Sequence, residues 1–91
     1  MKKSEFDAIE WPPFFIIEFS DGDVQHFDSS NGVTWDNGKN NDGSDENRAS
    51  LTCRWKKKSP AQQSFKLIEF FADEINSVYS ESGKKLWCKN V

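Results

Sequence analysis

The chain has little of what metal and nucleophile chemistry uses. One histidine stands among 91 residues, and the two cysteines, Cys53 and Cys88, form no CxxC pair. A structural zinc site takes four Cys or His ligands at close spacing, so none is expected. Nor do two cysteines make a disulfide framework. In a reducing compartment both read as buried free thiols, with a bond between neighbouring strands as the alternative. Long apolar runs are missing too. The longest, FFII at 14–17, is far short of the roughly 20 residues that span a bilayer. Lys2 and Lys3 open like a signal peptide, but SEFDAIE follows where an apolar stretch would have to stand. The sequence therefore reads as a single cytoplasmic domain over 1–91.

Aromatic residues are what the chain does have. Eight Phe, four Trp and one Tyr are enough rings to build a core in a chain this short, since each buried ring removes about 150–250 Å² from water. Charge is the second asset, and it is segregated. Residues 1–47 carry three Lys against eleven Asp/Glu, a balance of −8. Residues 48–91 carry nine Lys/Arg against four acids, a balance of +5. Either the halves neutralise each other within one sheet, or the molecule presents a dipolar surface that steers a charged partner.

Periodicity predicts an α+β fold: a small antiparallel sheet of four to five strands, with one long amphipathic helix packed on one face. Residues 4–11 alternate loosely and suggest a first strand, ended by Pro12 and Pro13. FFIIEFS and DVQHFD flank Asp21-Gly22, which predicts a hairpin with a two-residue type I′ turn. That turn places Phe19 opposite Val24, Ile17 opposite His26 and Phe15 opposite Asp28. Both faces of the hairpin are then largely apolar. SSNG at 29–32 is a turn and GVTWD at 32–36 a short strand. Residues 49–56 alternate well, with Leu51, Cys53 and Trp55 facing in and Thr52, Arg54 and Lys56 facing out.

The helix is expected from Ser59 to Gly83. Ser59-Pro60-Ala61-Gln62 has the form of a capping box with Pro at the first helical position, and Gly83 can supply the left-handed stop. Between them Phe65, Leu67, Ile68, Phe71, Ala72, Ile75, Val78 and Tyr79 fall on one stripe at 100° per residue. Phe70 falls on the opposite, polar arc. KKLWCKNV at 84–91 reads as a last strand.

The stretch WDNGKNNDGSDEN, residues 35–47, forms most of a predicted flexible acidic loop over 36–48. It does not fit a calcium loop. Counting from Asp36 puts Gly38 at position 3 and Asn41 where an EF-hand needs Gly. It is then a solvated connector or an arm for a partner. His26 has no nucleophile signature to serve, and the turn carboxylates Asp21, Asp23, Asp45 and Glu46 lack the apolar pocket that a general acid needs. No catalytic constellation emerges, and no cofactor or metal is expected.

The leading expectation is a non-catalytic acidic protein-binding module. It would be an inhibitor or immunity-type protein, or a phage-encoded antagonist, that neutralises a basic partner such as a nuclease toxin. Its expected binding residues are Trp35, Asp36, Asp42, Asp45, Glu46 and Phe70. One alternative is a nucleic-acid-associated domain using the basic patch Arg54, Trp55, Lys56, Lys57 and Lys58, which an isoelectric point near 5.1 opposes. Another is a homo-oligomerising module, pairing through the two-sided apolar hairpin.

Overall fold

The computed structural model describes residues 1–37, 49–56, 61 and 64–89. These residues form a short helix α1 (Lys3–Ala8) and seven strands: β1 (Phe14–Phe19), β2 (Val24–Asp28), β3 (Thr34–Asp36), β4 (Ser50–Trp55), β5 (Leu67–Phe71), β6 (Ile75–Ser80) and β7 (Lys85–Cys88). All pairings are antiparallel. The order is β3-β4-β2-β1-β6-β7, and β5 lies on β4. Leu51 pairs with Trp35 on one edge of β4 and with Phe70 on the other, so β2 and β3 share one edge and β5 takes the opposite one. β5 runs into β6 through a 3-10 turn, Ala72–Glu74. The chain thereby joins the two ends of the path β5-β4-β2-β1-β6, and the sheet curls into a half-barrel.

The expected long helix is not there; no helix among the described residues reaches seven residues. The reason is a coincidence of periods. Along β5 and into the first residue of the turn, the partly or fully buried residues are Ile68, Phe70 and Ala72, a spacing of two. The 3-10 turn then shifts the phase to Ile75. A bulge opposite Glu18/Phe19 leaves Asn76 out of the β1 register and shifts the phase again, so that both Ser77 and Val78 are buried. Two strands broken twice in this way place apolar residues near 68, 72, 75 and 78, the spacing of a helical face. Composition favours the strands, because the segment is rich in Phe, Ile, Val and Tyr. Gly83 has φ +95° as the last residue of a β6–β7 hairpin loop, not as a helix stop. Most of the supposed capping box lies outside the described residues.

The first hairpin also differs in register. Its loop has three residues, Ser20-Asp21-Gly22. The Gly22 N–H donates to Phe19 O at 2.9 Å, and the Phe19 N–H donates to Asp23 O at 2.8 Å. Gly22, at φ +91°, takes the left-handed position that such a loop requires. Phe15 therefore pairs with Phe27, and Ile17 with Gln25. A slip of one residue exchanges the faces of one strand relative to its partner. With this register Phe15, Ile17 and Phe27 all lie inside, while Val24 and His26 lie outside. The inner face gains Phe27, while the outer face keeps Phe14, Ile16 and Val24 beside Glu18 and His26.

The amino-terminal segment is α1 rather than a strand. It buries Phe6, and its Glu5 carboxylate accepts from the Lys2 N–H at 2.7 Å and from the Trp87 indole at 2.9 Å. These bonds, the indole's first, hold the Glu5 pKa below its ordinary value.

The core is a chain of rings. Centroid separations are 5.3 Å for Trp35–Phe6, 5.6 Å for Phe6–Trp11, 4.9 Å for Trp11–Phe15, 5.8 Å for Phe15–Phe27 and 5.7 Å for Phe27–Phe70. Leu51, Cys53, Ile75 and Val78 fill around it. Each fully buried apolar side chain contributes about 1.5–3 kcal/mol. Burial pushes the Cys53 thiol up to about 12, so it is an inert core residue, whereas Cys88 is exposed and both are free. No helix among the described residues is long and apolar enough to cross a membrane.

Candidate functional site: an acid-rimmed aromatic groove

α1 and Trp11 pack at the Phe15 end of β1. Its other end, at Phe19, borders a groove of about 450 Å³, within the range of small-ligand sites. Phe19, Phe27, Trp55, Ile68 and Phe70 give the groove its apolar walls, and Asp21, Asp23 and Glu74 are the charged residues that line it. Phe19 meets Phe70 edge to face, at 5.0 Å and 83°.

The geometry follows from local sequence. The three-residue loop sets Asp21 and Asp23 two apart on a tight turn. Asp21 Oδ1 accepts from the Asp23 N–H at 2.9 Å, and Asp23 Oδ2 accepts from Gln25 Nε2 at 2.8 Å. The Ser20 N–H and Oγ donate to Glu74 O at 2.8 and 3.1 Å, tying the hairpin loop to the 3-10 turn. The rim is therefore held at both sides. Among the described residues, every ionisable side chain lining the groove is an acid. A cation does sit nearby: Lys66 Nζ lies 5.0 Å above the Trp55 ring. The Trp55 indole N–H is buried and has no hydrogen-bond partner among the described residues.

The residues expected to bind a partner are distributed unevenly about this groove. Phe70 lies on its wall. It is 8% exposed, where the helical reading had it on an open polar arc. Trp35 is half-buried on Phe6, with its indole donating to Asn37 Oδ1 at 2.8 Å, and Asp36 is exposed beside it on β3. Asp42, Asp45 and Glu46, with most of the acidic loop, lie outside the described residues. So do Lys57 and Lys58 of the basic patch.

The described part of that patch is engaged within the fold. Arg54 Nε lies 2.9 Å from an Asp28 carboxylate oxygen, its Nη1 donates to Asn31 Oδ1 at 3.3 Å, and its guanidinium lies 5.0 Å from the centre of the Phe65 ring. Lys56 Nζ donates to Glu81 at 2.6 Å and sits over Phe14 at 4.8 Å. Trp55 faces the groove. His26 is exposed on the outer face of β2, and no cluster of three His, Cys, Asp or Glu that could hold a metal ion occurs among the described residues.

Sequence reasoning found Asp21 and Asp23 but read them only as turn acids. It missed Phe19, Ile68 and Glu74 as partners of that turn. The signal lay in FSDGDVQ read with a three-residue loop, which brings Phe19 and both acids to one rim. The chain matches no family model, and no curated protein or solved structure is similar to it. What fold and site define is a small β-domain with an acid-rimmed aromatic groove.

Proposed function

We propose that this chain is a non-catalytic acidic protein-binding module, of the inhibitor or immunity type or phage-encoded, that covers a basic cytoplasmic partner such as a nuclease. The groove carries the reading: it pairs desolvating rings with a rim whose charged groups, among the described residues, are all acids. Rings supply anchoring area and carboxylates supply steering and selection, the division of labour found in protein interfaces. Six of the ten residues lining the groove, Asp21 and Asp23 among them, belong to the amino-terminal half that holds the −8 balance, and Trp55, Ile68, Phe70 and Glu74 come from the other half. The nucleic-acid alternative is weakened by the internal bonds of Arg54 and Lys56.

The test is retention of proteins from native lysate on the immobilised full chain. The wild type should hold a basic protein that salt elutes, because exposed charge pairs are screened over about 8–10 Å at physiological ionic strength. Reversal of Asp21 and Asp23 to Lys, or of Asp42, Asp45 and Glu46 to Lys, should abolish retention in variants that keep a dispersed amide spectrum. Retention indifferent to both reversals and to salt would sink the reading.

One observation favours a second reading, self-association. On β5 and just before it, Leu67 is 50% exposed and Phe65 46%. Exposed apolar residues on an edge strand invite pairing. Solution mass measured at two concentrations decides this, and a constant monomer mass removes it.

A further inference from the structure

From the groove's chemistry we infer that it is an anchor pocket for one arginine side chain of the partner. The inference rests on the proposed function and adds the identity of the docking residue. The acid rim repels phosphates and carboxylates. A neutral aromatic ligand would use the rings and leave the charge of Asp21 and Asp23 unmatched. A cation with an apolar stem uses both.

Arginine fits better than lysine for three reasons. Its guanidinium is planar and stacks on aromatic faces, is weakly hydrated, and offers a fork of N–H donors that two neighbouring carboxylates can share. Asp21 and Asp23 stand two residues apart on one turn, which is such a pair. The Trp55 ring already takes a cation, since Lys66 Nζ lies over it at 5.0 Å. The rim is also fixed before any ligand arrives. The loop is closed by the Phe19–Asp23 and Gly22–Phe19 backbone bonds and fastened by Ser20 to Glu74 O. A preformed site avoids the ordering cost that a flexible loop would carry.

The experiment titrates three probes into the isotope-labelled full chain: N-acetyl-arginine methylamide, its lysine counterpart and its citrulline counterpart. Citrulline keeps arginine's shape and lacks its charge. Amide shifts should concentrate on residues 20–25, with the Trp55 indole resonance moving too. Citrulline should bind about fivefold more weakly than arginine or worse, with lysine between them. Asp21→Asn with Asp23→Asn keeps the oxygen acceptors of the turn and should erase the preference for arginine over citrulline.

Equal shifts with citrulline, shifts that map away from the hairpin, or none up to the probe's solubility limit would overturn the anchor. If the Asp21/Asp23 reversal still releases a basic partner while arginine fails to bind, the anchor falls and the proposed function stands. Arginine bound at the groove with no basic protein retained does the reverse.

Discussion

Asp28 and the pair Asp21/Asp23 belong to one hairpin and have opposite circumstances. Asp28, at the end of β2, is 2% exposed and faces Arg54 across the β2–β4 ladder, with the Ser30 N–H donating to it at 3.0 Å. Asp21 and Asp23, at the turn, are exposed, and among the described residues their carboxylates accept only short-range bonds, from the Asp23 N–H and Gln25 Nε2. An acid whose cation comes from its own chain does structural work. Asp21 and Asp23, which pair with no cation among the described residues and border the groove's rings, are suited to take one from elsewhere. The contrast separates the carboxylates that hold this fold together from those that can act on a partner.

Removing the internal cation should have the largest effect on stability. Arg54→Met keeps much of the side chain's apolar length, gives up the guanidinium's contact with Phe65 and leaves the Asp28 charge buried without its partner. A cost of about 2–3 kcal/mol is expected, somewhat below that for a fully enclosed pair because the Arg54 side chain keeps 18% exposure. Urea unfolding of both proteins measures it. Asp28→Asn placed in the Arg54→Met background should recover part of the loss, whereas independent sites would show simple addition.

Acidity should then act differently on these two proteins. Burial pushes the Asp28 pKa up, but the Ser30 bonds and Arg54 outweigh it, and the carboxyl lies below its ordinary value. A depressed value in the folded state means the contribution is complete above the unfolded carboxylate pKa of about 4 and disappears as pH falls through the folded value. Without Arg54, burial is opposed by the Ser30 bonds alone and the folded value rises. Ionised Asp28 then contributes less than in wild type, so Arg54→Met should narrow its deficit against wild type as pH falls through about 4. A stability difference that stays constant with pH would show that Asp28 does not depend on Arg54.

The Asp28–Arg54 pair was half legible in the sequence. The alternation of Leu51, Cys53 and Trp55 placed Arg54 on the outer face of β4, where it is. Its partner could not be read, because Asp28 meets Arg54 across β2 and β4, strands separated in sequence by β3, and no local turn sets their register. The Asp-Gly signal fits either a two-residue or a three-residue turn, and that ambiguity hid the groove, since Phe19 closes onto Asp23 only with the longer loop. The strands over 14–19, 24–28, 34–36, 50–55 and 85–88 follow the local signals closely. β5 and β6 do not, because the 3-10 turn and the bulge at Asn76 disguise period two as a helical stripe. Phe70 shows the consequence: on a helix it is an exposed anchor, on β5 a groove wall. α1 was missed because one buried ring in six residues leaves no period to read.

The smallest effect on stability should come from the turn acids, and its smallness is what sharpens the contrast. Asp21→Asn with Asp23→Asn keeps the acceptors for the Asp23 N–H and Gln25 Nε2 and removes two exposed charges. Exposed substitutions that leave backbone bonding intact usually lie within about 0.5 kcal/mol. Unfolding midpoints should therefore nearly coincide with wild type, with a shift of either sign. The net charge also moves from −3 toward −1 on losing two negative charges, which relieves repulsion around the groove. A gain in stability with a simultaneous loss of arginine binding would be the signature of acids held for a partner. A loss comparable to that of Arg54→Met would instead place Asp21 and Asp23 among the structural carboxylates with Asp28, and the distinction between the two settings would fail.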